Sequence, residues 1–320
     1  MSQRQRLGQY ELVDLLAQGE ILSVYSGYDT KRGRTVILKS VLPQLQDDTE
    51  LTARFCRRAE QLLLLSHSHI VPALEAGFER GALYLVSDVP DGESLERRLL
   101  SQGAVEIDDV ISIFSQVAEA LDYAHQHGIF HHDLRPAHIY LRDKAASLTD
   151  FSLLEAIGAT PTFLAPEQLD ETSAEVADGR TDSYALGAII YQTLAGKPPF
   201  EGAAEDVATA HLTQRPLPPR VHNPDLFPAV DAILLKALAK QPKRRFQSAG
   251  ELMDALEEAL RTAQTRRLTQ AGPNRSASTN DTANTSSSRR KQDRAPVWVW
   301  IGLGILLAVV ITSVILLAAG

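Results

Sequence analysis

At 320 residues, with 44% apolar and 22% charged side chains, the chain is long enough for one large or two smaller domains and too apolar for wholesale disorder. Its single cysteine, Cys56, excludes an internal disulfide framework, and a formal charge of −8 argues against a general nucleic-acid binder. The charge is uneven. Residues 261–294 hold eight Lys/Arg and two Asp/Glu, a net of +6, which leaves −14 on residues 1–260.

The first ten residues, MSQRQRLGQY, contain no apolar run and predict no secretory leader. Residues 10–90 alternate as strands do, in YELVDLL, SVYSGYD, RTVILKS, IVPALEAGF and ALYLVSD, with turn residues between them. One helix, from about Thr49 to Ser66, interrupts the strands. From Glu93 to about Ala263 the periodicity becomes helical. Val110, Ile113, Val117, Leu121 and Ala124 share one helix face, and Gly128 closes that helix. A second helix is expected from about Thr181 to Leu194, stopped by Gly196 and Pro198. The reading is an α+β chain: a β-rich unit at 10–90 and an α-rich unit at 91–263, with no internal repeat.

Residues 264–296 form a basic stretch, and eleven Ser/Thr lie between Thr262 and Ser288. Such a segment buries too little apolar surface to offset its ordering entropy, so a flexible tether is expected. It is either simply solvated or lies on anionic headgroups, where each basic residue adds about 1 kcal/mol. From Val297 to Gly320 there is no charge. A helix over 297–319 would span about 35 Å, enough to cross a hydrocarbon core of about 30 Å. Trp298 and Trp300 stand at its start, and Arg289, Arg290, Lys291 and Arg294 precede it. That arrangement predicts a single membrane anchor with the body on the cytoplasmic side; the alternative is a buried core helix.

Six ordered landmarks fall on the predicted elements: Lys39 in VILK, HHDLRPAHIYL (131–141), DFS (150–152), APE (165–167), TDSYALG (181–187) and QPKRRF (241–246). From about Tyr10 to Leu260 the chain resembles a protein kinase domain of the bacterial Ser/Thr kinase type. The resemblance implies a two-lobed fold, ATP and Mg²⁺ as cofactors, and a protein substrate or partner rather than nucleic acid. It assigns Lys39 to the α/β-phosphates, Asp133 to the acceptor hydroxyl and Asp150 to Mg²⁺. Arg135 and Thr160 would bond Asp133. Gly19 is the surviving middle glycine of the phosphate loop, Val24 lies on the strand above adenine, and Asp88 lies in the hinge. His138 stands at the second metal position. His131, Phe151, Asp182, Glu167 and Arg245 match residues that hold the architecture.

Several positions depart from that pattern. In the phosphate loop, Ala17 and Leu22 replace the outer glycines, and Leu22 is expected to hinder the approach of phosphates to backbone N–H groups. Arg58 stands where a helix glutamate should hold Lys39, and would repel Lys39 or point elsewhere. Glu60 lies about 200° around the helix axis and cannot substitute in register. Imidazole at His138 suits zinc or manganese better than Mg²⁺. His132 and Ser152 replace an arginine and a glycine, and the segment from Asp150 to Glu167 is only 18 residues long. Behind Ser87, Pro90 removes a hinge N–H. Ile37 and Tyr140, with Val24, are expected to fill the adenine slot.

The scaffold is therefore kept while the phosphate machinery is eroded. Two main functions follow from this. One is a membrane-tethered pseudokinase that docks or regulates a partner; the other is a divergent kinase using Lys39, Asp133 and Asp150 with one metal. A scaffold without any ligand is a third. The histidines at 125, 127, 131, 132 and 138 raise a metal site, but two already have places in the kinase pattern and no cysteine joins them.

Overall fold

The computed structural model describes residues 5–270 apart from 46, 80, 104, 152, 154–160 and 171–176, with side chains described to Thr262. Thr160, Ser152 and the expected membrane helix thus lie outside the described residues. Among the described residues no helix is long and apolar enough to cross a membrane.

The first lobe is a six-stranded antiparallel sheet in the order β1-β2-β3-β4-β6-β5. Its strands are β1 (Arg6–Leu7), β2 (Tyr10–Gln18), β3 (Leu22–Asp29), β4 (Arg34–Val41), β5 (Ala73–Glu79) and β6 (Ala82–Ser87). Strand β5 starts at Ala73 rather than Ile70, because Pro72 has no N–H to give a ladder. The freed stretch is used differently. Ile70 forms a parallel bridge with Leu148, and Val71 N–H donates to the Leu148 carbonyl at 2.8 Å, joining the two lobes.

Helix α1 (Thr49–Leu64) lies against this sheet and buries Phe55, Ala59 and Leu62 at helical spacing. Asp48 caps it, accepting from the N–H groups of Glu50 and Leu51. The helix stops at Leu64, two residues before the expected end, because Leu65 is extended.

The second lobe opens with α2 (Leu95–Gln102) and α3 (Ile107–Gln126). A small sheet, β7 (Glu93–Ser94), β8 (Ile139–Arg142) and β9 (Ala145–Leu148), carries the loop between α3 and β8. The turn into β7 needs Gly92: its φ is +92°, and a Cβ there would collide with the Leu141 carbonyl. After α4 (Pro166–Leu169) comes α5 (Gly179–Ala195), buried on nearly every side. Asp178 caps it, accepting from Arg180 N–H, and Gly196 ends it in the left-handed conformation at φ 76°. Helices α6 (Ala204–Thr213), α7 (Pro228–Ala237) and α8 (Ala249–Gln270) complete the lobe. Helix α8 continues into the stretch read as tether. Ala263, Gln264, Arg266, Arg267 and Leu268 are good helix formers, and Glu258 pairs with Arg261 on the same helix. One continuous apolar core runs from Leu22 and Phe55 through α3 and α5 to α8.

Candidate functional site

Lys39 sits on β4, opposite Val24 of β3 and Leu85 of β6. That register sends its ammonium toward the second lobe, where it forms an ion pair with the Asp150 carboxylate. Asp150 holds a left-handed φ of 61°, a conformation costly for a non-glycine residue and kept where the surroundings over-determine it. Burial acts to raise the Asp150 carboxyl, but the Lys39 charge outweighs it and holds the group well below the usual carboxylate range. Beside this pair is a void of about 40 Å³ lined by Ser87, Thr149 and Phe151, room for a water or two.

Arg58 does not face Lys39. Its Nη2 donates to the Phe130 carbonyl just before the His131–His138 loop, so α1 is tied to the second lobe rather than to β4. Glu60 is exposed and takes no part. Of the two outcomes open to a cation at this position, the structure takes the second.

The loop from His131 to His138 hangs on Asp182, a fully buried carboxylate of α5. It accepts from the His131 and His132 N–H groups at 2.8 Å each, and His125 Nε2 lies 2.8 Å from it. Burial acts to raise its pKa, but the hydrogen bond and charge of His125, with His131 and His132, draw it below the usual range. Three charge-assisted contacts to one carboxylate hold the loop in its strained form, with His132 at φ 59°. His131 is sealed between Phe151, at 4.8 Å between ring centres, and His138, at 5.7 Å.

Asp133 follows. It is buried, and burial together with the neighbouring Asp150 charge pushes its carboxyl up to about 6 against the pull of Arg135. Its Oδ2 lies 3.6 Å from Arg135 Nε and 3.7 Å from His138 Nδ1. His138 is 2.8 Å from the Asp133 carbonyl through Nδ1 and 3.1 Å from Arg135 Nε through Nε2. A carbonyl only accepts, so Nδ1 carries the proton; Nε2 is then the lone pair that accepts from Arg135. Burial pushes the imidazole down to about 3, so this ring is neutral. Sequence reasoning placed Asp133, Arg135 and His138 at one site, and the structure brings all three together with Lys39 and Asp150.

Gly19, Val24 and Asp88 are placed less simply. The Gly19 N–H is engaged by the Leu22 carbonyl at 2.8 Å, and Leu42 N–H holds the Ile21 carbonyl at 2.8 Å. Leu22 is 1% exposed and faces the core opposite Val41. It therefore does not project across the phosphate path as expected, because the gain from burying its side chain, about 1.5–3 kcal/mol, turns it inward. The loop is pinned by backbone bonds instead. Asp88 pairs with Arg34 at 3.2 Å, and its N–H goes to the Pro72 carbonyl at 3.0 Å. Val24, Ile37 and Tyr140 are half-buried. The missing N–H at Pro90 is a covalent fact and stands.

Glu167 and Arg245 form a bidentate pair, 2.7 Å on each arm, with side chains 3% and 0% exposed. Sequence reasoning missed His211, which is fully buried on α6. Tyr184 O–H lies 2.8 Å from its Nδ1, and its Nε2 is 3.0 Å from the Thr162 carbonyl. This ring therefore links α5 and α6 to the segment before APE. A lone histidine on an amphipathic helix gives no signal of such a role.

For the implied cofactors, the hard carboxylate of Asp150 suits Mg²⁺, and Lys39 is placed for phosphate charge. His138, with its lone pair engaged, does not suit a second ion. Among the described residues no group of three or more His, Cys, Asp or Glu is placed to hold a metal.

A protein kinase domain model matches residues 10–274. Serine/threonine-protein kinase PknB of Mycolicibacterium smegmatis is 33% identical over 262 residues, covering 76% of this chain and 41% of that protein. PknD of Mycobacterium tuberculosis is 34% identical over 278 residues, covering 82% and 41%. A probable serine/threonine-protein kinase of Streptomyces coelicolor is 33% identical over 280 residues, covering 81% and 41%. The matches thus span about two fifths of these relatives' length. The crystal structure of the Mycobacterium tuberculosis PknI kinase domain superposes with a TM-score of 0.65 at 29% identity, covering 81% of this chain and 99% of that one. With its β-rich first lobe, helical second lobe and full set of ordered landmarks, the chain belongs to the protein kinase domain family.

Proposed function

We propose that this member of the serine/threonine kinase family works as a pseudokinase, binding and regulating a protein partner rather than transferring phosphate. One observation carries the reading: the polar groups that should meet nucleotide and metal are satisfied by one another. Lys39 pairs with Asp150 and the His138 lone pair accepts from Arg135, while Arg58, at the position of the glutamate that should hold Lys39, bonds the Phe130 carbonyl instead. Pro90 supports it, since no backbone N–H exists there for adenine. Each lost contact worth about tenfold in rate multiplies with the others, at about 1.4 kcal/mol per factor of ten. Residues 264–296 would tether this body to a membrane helix at 297–319, with the kinase-like domain on the cytoplasmic side.

A specific observation favours the alternative, a divergent ATP-dependent kinase with one Mg²⁺. Lys39, Asp133 and Asp150 converge, and an Asp133 carboxyl pushed up to about 6 suits a general base near neutral pH. Incubating the purified full chain with ATP and Mg²⁺ or Mn²⁺, and mapping phosphate on the Ser/Thr of 262–288, decides between them. The pseudokinase reading expects no phosphate above that of Asp150→Asn. Incorporation abolished by Asp150→Asn would establish the enzyme. A stable complex with a second kinase, unchanged by Asp150→Asn, would support regulation by docking.

A further inference from the structure

We infer that the second divalent-cation position of the kinase cleft is closed in this chain, and that the Arg135 guanidinium occupies it as an internal cation. The hydrogen bonds of one ring, His138, decide it. A neutral imidazole has one N–H and one lone pair, and only the lone pair can bind a metal. At His138 the N–H is on Nδ1, because the Asp133 carbonyl 2.8 Å away can only accept. That leaves Nε2 as the sole ligand atom, and Arg135 Nε–H points at it from 3.1 Å.

The ring cannot escape by rotation. His138 is 7% exposed and stacks on the fully buried His131, with 24° between the ring planes. Flipping it would put Cδ2–H where Nδ1–H stands and leave the Asp133 carbonyl without its donor. A cation arriving at Nε2 would therefore have to displace a guanidinium that is also drawn toward the Asp133 carboxylate, 3.6 Å away. Arginine stays protonated at any ordinary pH, so the displaced charge would remain beside the incoming one. The replacement at 138 and the arginine at 135 thus act together: one removes the oxygen ligand that Mg²⁺ requires, and the other seals the nitrogen that zinc, cadmium or manganese would accept.

The inference is separate from whether the chain transfers phosphate, since a single ion at Asp150 is compatible with it. The test is a long-range proton–nitrogen correlation spectrum of the full chain in detergent micelles, with its histidine rings nitrogen-15-labelled. His138→Asn identifies the His138 signals. The expected spectrum has an Nδ1–H tautomer with a bare Nε2, whose resonance does not move when millimolar Cd²⁺ is added. Cadmium is the stringent probe because it favours imidazole and is diamagnetic, so only direct bonding shifts the nitrogen. An Nε2–H tautomer, or a cadmium-induced upfield shift of Nε2, would overturn the inference. In Arg135→Ala the Nε2 should become reachable and shift with Cd²⁺; a His138 that stays unmoved there would overturn the role given to Arg135. The buried His131 and His211 signals report that the variant is folded, and the wild-type spectrum decides the main point without it.

Discussion

The Glu167–Arg245 pair gives the sharpest energetic prediction. Both side chains are out of solvent, and Arg245 also donates to the carbonyls of Ala239, Lys240 and Arg180, while Thr181 O–H donates to Glu167. Glu167→Gln keeps the shape but turns an amide NH₂ toward the guanidinium and leaves that charge buried without a counter-ion. Breaking a buried pair in this way costs about 3–5 kcal/mol, which lowers Tm by roughly 10 °C for a domain of this size. Equilibrium urea unfolding measures it. Burial acts to raise the Glu167 carboxyl, but the hydrogen bonds and charge of Arg245 hold it below its ordinary value. Its contribution is therefore present above the unfolded-state pKa of about 4.5 and fades as pH falls through the lower folded value. The gap between wild type and variant should narrow on acidification below that range. A loss under about 1 kcal/mol at pH 7, or a gap that grows with acid, would refute the reasoning.

Three further outcomes are expected. Burial pushes His211 down to about 4, so the neutral ring stabilises the fold above pH 6.5 and that stability is lost as pH falls from 6.5 toward 4, by roughly 3 kcal/mol. His211→Gln should be less stable at pH 7 but show a flatter stability profile between pH 6.5 and 4.5 in urea titrations. Gly92→Ala should cost upward of about 2 kcal/mol, since the new Cβ meets backbone rather than a movable side chain; a neutral melting curve would contradict this. Arg58→Met removes a charge-assisted bond to the Phe130 carbonyl and should cost about 1.5–3 kcal/mol. A gain in stability would mean that Arg58 faces Lys39 instead.

Strand positions in the first lobe were legible because alternation and turn residues agree there. β2, β3, β4 and β6 lie within about two residues of their expected bounds. The exception, β5, was displaced by the missing N–H of Pro72. Helix α5 shows no amphipathic stripe because it is buried on nearly every side, so only its caps marked its ends. The short sheet β7-β8-β9 was missed, since two- and four-residue strands are below what periodicity can register. At the site, the motif order located Lys39, Asp133, Arg135, His138 and Asp150. Their pairing was not legible, because the direction of Arg58 and the tautomer of His138 depend on carbonyls at Phe130 and Asp133 that long-range packing delivers. Leu22 shows the same limit: its replacement of a glycine is visible in sequence, but its turn into the core is set by the partner strand at Val41.

Melting of the full chain with ATP, with and without Mg²⁺ or Mn²⁺, tests the central claim most directly. A ligand at about 100 times its Kd adds about 2.7 kcal/mol, a rise of roughly 5–10 °C for a domain of this size. The account predicts no rise that depends on the metal, because Lys39, Asp150, Arg135 and His138 already satisfy one another. A rise of that size appearing only with Mg²⁺ would contradict it and turn the reading back to the divergent ATP-dependent kinase.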